Sequence, residues 1–400
     1  MDVNKASPLL AGLSPAQFMR RHWQKKPLLV RGAIPGFKPL LSRTELFRLA
    51  SRDEVKSRLI VKGNSGWHMK SGPFGTRGLP ALTQAGWTLL VQGVDLHVQK
   101  LHDLLGQFRF VPDARLDDLM ISFATTDGGV GPHFDSYDVF LLQASGRRRW
   151  KISKQKDLTL QDGMPLKILQ NFEPEQEFLL EAGDMLYLPP RYAHDGIAEV
   201  SAGSDGKNID CMTYSIGFRA PAQRELASEL LHRIAGFGED AAEDEPVASQ
   251  YGARAPVLYR DPAQEATETP AAIPDALSAF AEKALNDVLK DPLALACALG
   301  EYMTEVKSSV WFDPPPDEWR PTSGGVCLDP KSRMMYDRHH VFLNGESYRA
   351  GGADARLMRR FADRRALSSI ELAKASPAAM ALLSDWYDAG WIQPDGLVKN

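Results

Sequence analysis

With 400 residues, 44% hydrophobic and 24% charged, the chain has the composition of a globular protein long enough for two or three domains, each with its own core. A formal net charge of −4 gives no general attraction to nucleic acid and favours a basic partner instead. No apolar run approaches the roughly 20 residues of a membrane span, and the N-terminus shows no signal-peptide pattern, so a cytoplasmic protein with no membrane partner is expected. Cys211, Cys297 and Cys327 are widely spaced and form no CxxC or Cys/His pattern, which indicates neither a disulfide framework nor a structural zinc site.

Ser14-Pro15 predicts a capped helix with proline in its first turn, carrying Phe18 and Trp23 toward Lys25-Lys26. Pro27–Gly32 follows as a short strand, Ser42–Arg52 as a second capped helix, and Ser57–Lys62 as an alternating strand. Trp87–Val91 is strand-like and Leu96–Leu105 helical. His97 and His102 stand five apart in that helix, a spacing that does not bring them to one face, and are taken as structural.

From Met120–Ala124 onward the chain turns to strands. Asp127–Gly131 is a glycine-rich loop that permits close backbone approach, and Pro132-His133-Phe134-Asp135 follows it. Residues two apart on a strand share a face, so His133 and Asp135 can offer an imidazole nitrogen and a carboxylate oxygen to one point. His194 lies sixty-one residues beyond His133, after strand-like Phe178–Leu180, the turn Glu181–Asp184 and Met185–Pro190. Two histidines and one carboxylate on one face of a metal, with other positions open, suit a non-haem Fe(II) oxygenase.

Val139–Gln143 is a buried strand, Ser145-Gly146 turns it, and Arg147–Ile152 is expected to return as its hairpin partner. A 2-oxoacid chelating such a metal needs a cation for its far carboxylate. Period two lets Arg148 hold one face alone while Arg147 and Arg149 face away. The polar stretch Ser201–Asn208 is expected to be a surface loop, and Met212–Phe218 the last strand of this part. Many short strands without βαβ alternation argue for a mainly β double-sheet jelly roll, whose mouth would hold the strand-borne ligands.

Apolar stripes of helical period follow through Leu226, Leu230, Leu231 and Ile234, then Leu277, Phe280, Leu285, Val288 and Leu289, then Leu295, Leu299 and Met303 from Asp291-Pro292. Between the first two lies the acidic run Glu239–Pro246, a solvated linker by composition. Pro314-Pro315-Pro316 marks a boundary. Beyond it, Met334–Tyr336 and His340–Arg349, with an Asn344-Gly345 turn, precede helices near Ala353–Asp363, Ser368–Ala373 and Ser376–Ala389. Two strands and three helices outline an α+β winged helix. Its acidic residues, among them Glu346, Asp354, Asp363 and Glu371, argue against DNA binding and for a structural or protein-binding role.

Gly129–Phe140, Ser145–Trp150, Gly183–Pro190, Tyr214–Pro221 and, upstream, Trp23–Leu28 resemble the bacterial JmjC-type ribosomal oxygenases of the cupin superfamily. The resemblance runs from about Phe18 to the C-terminal winged helix. It implies an Fe(II)- and 2-oxoglutarate-dependent dioxygenase in three parts: a catalytic domain over residues 1–220 with its core at about 95–220, a helical dimerisation region over 221–312, and a winged helix over 313–400. It implies a homodimer, a substrate arginine on large-subunit ribosomal protein sixteen, His133, Asp135 and His194 as metal ligands, and Arg148 on the 2-oxoglutarate C5 carboxylate. Ser122, Thr125 and Thr213 are candidate further contacts to the cosubstrate, although Thr213 stands where the family leads one to expect Asn. A cationic guanidinium would be met by a carboxylate at the mouth, Asp127 or Asp138, with Tyr137 as an aromatic wall. Histidine hydroxylation or lysyl demethylation on the same scaffold, and a non-catalytic cupin binding module, are the alternatives.

Overall fold

The computed structural model describes residues 2–63, 66–75, 77–201, 209–236, 259–260, 273–290, 292–315, 319, 324–349 and 351–395. They form two compact units, one running to Ala220 and including Ser308–Trp311, the other made of Pro221–Lys307 and the residues from Phe312 onward. Within the expected surface loop, 202–208 lie outside the described residues, as do the acidic run 239–246, Asp291 and Pro316.

In the first unit, α1 (Pro15–Arg21) begins as its sequence demands. The Ser14 hydroxyl accepts from Gln17 N–H and the Gln17 side chain accepts from Ser14 N–H, closing a capping box ahead of Pro15. After β1 (Leu28–Val30), Ser42 and Glu45 cap α2 (Arg43–Ala50) in the same way. β2 (Ser57–Gly63) pairs with β3 (Gly66–Ser71), a strand whose polar, mostly exposed side chains gave no sequence signal, and with β4 (Trp87–Val91). The helix expected over Leu96–Leu105 is instead a tight turn at Val94–Leu96 followed by α3 (Gln99–Gly106), because Asp95 is turned inward to accept the Leu119 N–H.

The remaining strands are β5 (Leu116–Ala124), β6 (His133–Phe134), β7 (Val139–Ser145), β8 (Arg147–Ser153), β9 (Gln176–Leu180), β10 (Met185–Leu188), β11 (Ala193–Glu199) and β12 (Cys211–Phe218). They make an eight-stranded antiparallel sheet in the order β1-β10-β7-β12-β5-β4-β2-β3 and a four-stranded one in the order β6-β11-β8-β9. This is the double-sheet roll expected of the sequence, with one correction: β7 and β8 are not a hairpin. β7 pairs with β10 and β12, whereas β8 pairs with β11 and β9. Gly146 carries the chain across. Its φ of 65° is open to glycine, and a Cβ there would lie 2.8 Å from the Asp210 carbonyl oxygen, so the corner passes too close to β12 for any side chain.

Period two sorts the large sheet. Leu119, Ile121, Phe123, Tyr214, Ile216 and Phe218 pack with Phe18, Leu46 and Leu101 of the helices, while Val139, Leu141, Leu186 and Leu188 meet Trp150, Ile152 and Leu180 of the small sheet. The inner face also carries polar groups, so the interior of the roll is not simply an apolar core.

In the second unit, α4 (Gln223–Gly236), α5 (Asp275–Leu289) and α6 (Pro292–Thr304) precede β13 (Val326–Leu328), β14 (Met334–Tyr336), β15 (His340–Leu343) and β16 (Glu346–Arg349). Helices α7 (Gly352–Arg364), α8 (Ser369–Leu372) and α9 (Pro377–Asp388) complete the winged helix, together with β17 (Ala366–Leu367) and β18 (Ile392–Pro394). β14, β15 and β16 form a meander turned at Asn344-Gly345, and β13 lies between β17 and β18. The three short strands β13, β17 and β18 were too brief to read from sequence. Helix α6 packs on the meander: a Cβ on Gly300 would lie 2.3 Å from the Phe342 ring, and the Gly345 N–H donates to Thr304 Oγ1 at 3.1 Å.

The first unit is pinned at a buried carboxylate. Asp138 is wholly inaccessible and accepts from Tyr187 Oη at 2.6 Å, Gln24 Nε2 at 3.0 Å and Arg115 Nη2 at 3.4 Å, which ties the end of the N-terminal helical segment to the strand after the His-x-Asp stretch. A buried donor removed from a charged acceptor costs about 1.5–3 kcal/mol. Tyr187→Phe should lower the unfolding free energy by that amount in urea denaturation, and an unchanged midpoint would contradict the anchor.

Candidate active site

β6 is only two residues long, yet its register places the cluster. His133 stands directly opposite His194 of β11, and the Arg191 N–H donates to the Asp135 carbonyl at 2.8 Å, extending the pairing one residue beyond the strand. Ligand atoms of His133, Asp135 and His194 all lie within 4.8 Å of one another, the only such group of three or more among the described residues. The two imidazoles are oriented alike: His133 Nδ1 is 2.8 Å from the Gly131 carbonyl and His194 Nδ1 is 2.9 Å from the Tyr192 carbonyl. Each ring thus donates Nδ1–H to the carbonyl two residues before it, leaving Nε2 a bare acceptor. Burial, and then the neighbouring His133, push His194 down to about 4, against smaller opposing effects of Asp135 and the Tyr192 carbonyl, so it is neutral at pH 7. Two imidazoles that both turn Nδ1 to a backbone carbonyl, with a carboxylate, fit a hard-to-borderline divalent metal with open positions.

Arg148 points inward from β8, 4% exposed, while Arg149 on the other face pairs with Glu177 and Glu199. Nε and Nη2 of Arg148 are buried with no hydrogen-bond partner in the protein, so an anion entering the roll would meet unspent charged donors. Across the large sheet Ser122, Thr213 and Gln143 stand in register. Their hydroxyls are already engaged: Ser122 Oγ donates to the Thr213 carbonyl at 3.4 Å, and Thr213 Oγ1 donates to Gln143 Oε1 at 2.8 Å. The Thr125 hydroxyl is stitched to the Trp87 backbone.

The carboxylates expected at the mouth are placed otherwise. Asp138 is the internal anchor described above, closed to any substrate. Asp127, in a left-handed turn with φ 61°, donates its N–H to Ala198, four residues along β11 from His194. At strand rise that is about 13 Å from the histidine pair. Tyr137 is 40% exposed, and burial of its hydroxyl end with the carboxylates of Asp135, Asp118 and Asp117 holds it well above the usual phenol range. Asp118, absent from the sequence-based candidates, shares the inner face of β5 with Met120 and Ser122 and is buried beside Tyr137 and Gly217. The signal was there in period two: counting back from Ser122 reaches Met120 and Asp118. Counting along β7 from Val139 and Leu141 likewise reaches Gln143, a polar residue on the inner face of an otherwise apolar strand.

A double-sheet roll with two histidines and an aspartate converging between its sheets, and a buried arginine on the strand beside β11, defines a JmjC-type oxygenase. Residues 103–226 match the JmjC domain family and residues 287–393 the ROXA-like winged helix family. The Ribosomal protein uL16 3-hydroxylase of Escherichia coli is 34% identical over 308 residues, 76% of this chain and 75% of that protein. The Probable ribosomal oxygenase of Haemophilus influenzae is 33% identical over 214 residues, 52% of this chain and 50% of that one. Among solved structures, Escherichia coli YcfD, a ribosomal oxygenase, in complex with cobalt and 2-oxoglutarate superposes with a TM-score of 0.75 at 29% identity, covering 96% of this chain and 99% of that one. The chain belongs to the JmjC-type ribosomal oxygenases.

His133→Ala should abolish binding of a divalent metal in anaerobic titration calorimetry while leaving the far-ultraviolet circular dichroism intact. Retained stoichiometric binding would reject the cluster as the metal site.

Proposed function

We propose that the protein is an Fe(II)- and 2-oxoglutarate-dependent hydroxylase acting on an arginine side chain of large-subunit ribosomal protein uL16. The observation that carries the cosubstrate is Arg148, a buried guanidinium with unpaired donors on the strand hydrogen-bonded to β11. His133 Nε2, His194 Nε2 and an Asp135 oxygen would hold the metal, and Arg148 the far carboxylate of 2-oxoglutarate. When bound, metal and cosubstrate would supply the oxidising chemistry with O₂ as oxidant: one oxygen atom enters succinate as 2-oxoglutarate loses CO₂, and the other enters the substrate C–H bond.

The chain's own residues determine what reaches that chemistry. Asp118, buried beside Tyr137, supplies a carboxylate for a guanidinium, and Tyr137 an aromatic wall. Ser122 and Thr213 line the cosubstrate end, with Thr213 oriented by Gln143. The ribosomal substrate is supported by the relatives' names, and the chain's net negative charge suits a basic protein. A cytoplasmic location follows from that substrate. Leu285 and Leu289 of α5 are 59% and 53% exposed, which supports a homodimer formed through a helical region at about 221–312, with the winged helix over 313–400.

Purified uL16 incubated with enzyme, Fe(II) and 2-oxoglutarate should gain the mass of one oxygen, located by fragmentation on an arginine. Asp118→Asn should raise KM for uL16 about tenfold or more, a lost charge-assisted contact. Oxygen on a histidine, or loss of a methylene from a methylated lysine, would move the assignment to the alternative reactions, and an unchanged mass would remove uL16 as substrate.

A further inference from the structure

Among the buried nitrogen donors without hydrogen-bond partners, three stand together on the inward face of β8: Nε and Nη2 of Arg148, and Nε1 of Trp150. The first two are answered by the cosubstrate carboxylate. The third is not, and a buried indole N–H ordinarily finds an acceptor.

Trp150 sits two residues after Arg148 on β8 and so shares its inward face, with only 5% exposure. Its ring centroid is 5.8 Å from the Arg148 guanidinium carbon and 5.8 Å from the His194 ring centroid. The indole therefore stands between the cationic end of the site and a metal-ligand histidine. β11 makes room for it at one place. Gly196 is opposite Trp150 in register, and a Cβ there would fall 2.5 to 2.8 Å from three carbons of the ring. Side-chain-free backbone at Gly196 is what allows the indole to lie there.

Indole nitrogen is a donor only, so it can be satisfied by an acceptor such as a carboxylate oxygen and not by the guanidinium beside it. We propose that Trp150 Nε1 donates a hydrogen bond to the carboxylate of 2-oxoglutarate that Arg148 grips, completing a donor set for both oxygens. This rests on the cosubstrate assignment above and adds a residue to it. Trp150 is then a determinant of cosubstrate choice, favouring a 2-oxoacid that carries a second carboxylate at the far end of its chain.

The test uses full-length protein loaded with Zn(II), a diamagnetic substitute, and labelled with nitrogen-15 at indole. Addition of 2-oxoglutarate should move the Trp150 Nε1–H proton signal downfield, whereas pyruvate, which lacks the far carboxylate, should leave it in place. The signal is assigned by linking Nε1–H to the indole ring protons, of which those on Cε3, Cζ3 and Cη2 lie against Gly196, so this arm needs no variant. In calorimetry Trp150→Phe, which keeps an aromatic ring but no donor, should bind 2-oxoglutarate about tenfold more weakly, as loss of a hydrogen bond to a charged group implies, with zinc affinity unchanged. A Trp150 signal that stays in place while calorimetry records 2-oxoglutarate binding, or equal affinity in a folded Trp150→Phe protein, overturns the proposal. Absence of any 2-oxoglutarate binding to the zinc-loaded wild type overturns the cosubstrate assignment and this proposal with it.

Discussion

The pairing of His133 with His194 across β6 and β11, with each Nδ1 tied to the carbonyl two residues earlier, is the constraint on which the site depends. An imidazole free to choose its tautomer could present a proton instead of a lone pair to the shared point. Here the Gly131 and Tyr192 carbonyls make that choice, and both belong to segments whose course is fixed by the ladder and by the Arg191 N–H on Asp135. A slip of one residue in that register would bring Ala193 and Phe134 to the inner face and scatter the cluster. The metal chemistry is therefore a consequence of strand register as much as of ligand identity.

Around that point, polar groups divide by whether the fold has already spent them. Asp138, Thr125 and the Thr213–Gln143 pair satisfy one another or the backbone, and they hold the walls in place. Arg148 and Trp150 keep buried donors without acceptors. Unsatisfied donors inside a roll are costly unless a ligand answers them, and this cost is the physical basis for proposing a ligand at Arg148 and Trp150. Asp118 and Asp135 both lie close enough to Tyr137 to raise the pKa of its hydroxyl.

Much of this was legible in the sequence because strand period two and loop chemistry are local. The His133-x-Asp135 pair, the inward Arg148, the capped helices at Ser14 and Ser42 and the glycine-rich loop before Pro132 all follow from neighbours a few residues apart. What failed was non-local. Arg147–Ile152 reads as a hairpin partner of Val139–Gln143, yet Gly146 sends it to the other sheet because β12 lies against the corner. Asp138 reads as a mouth carboxylate, yet Tyr187, Gln24 and Arg115 come from far along the chain to enclose it. Asp118 and Gln143 were overlooked although their faces could have been counted, since nothing local says which face of β5 or β7 turns to the small sheet. β3 carried no apolar pattern because it is an edge strand with one covered neighbour.

The most direct measurement is the visible spectrum of the anaerobic protein as Fe(II) and 2-oxoglutarate are added separately and together. A metal-to-ligand charge-transfer band that appears only with both present, and is lost in Asp135→Ala, is the result predicted if the His133, Asp135 and His194 cluster holds iron with the cosubstrate chelated to it. Absence of the band in the wild type, or its persistence in Asp135→Ala, would contradict the account.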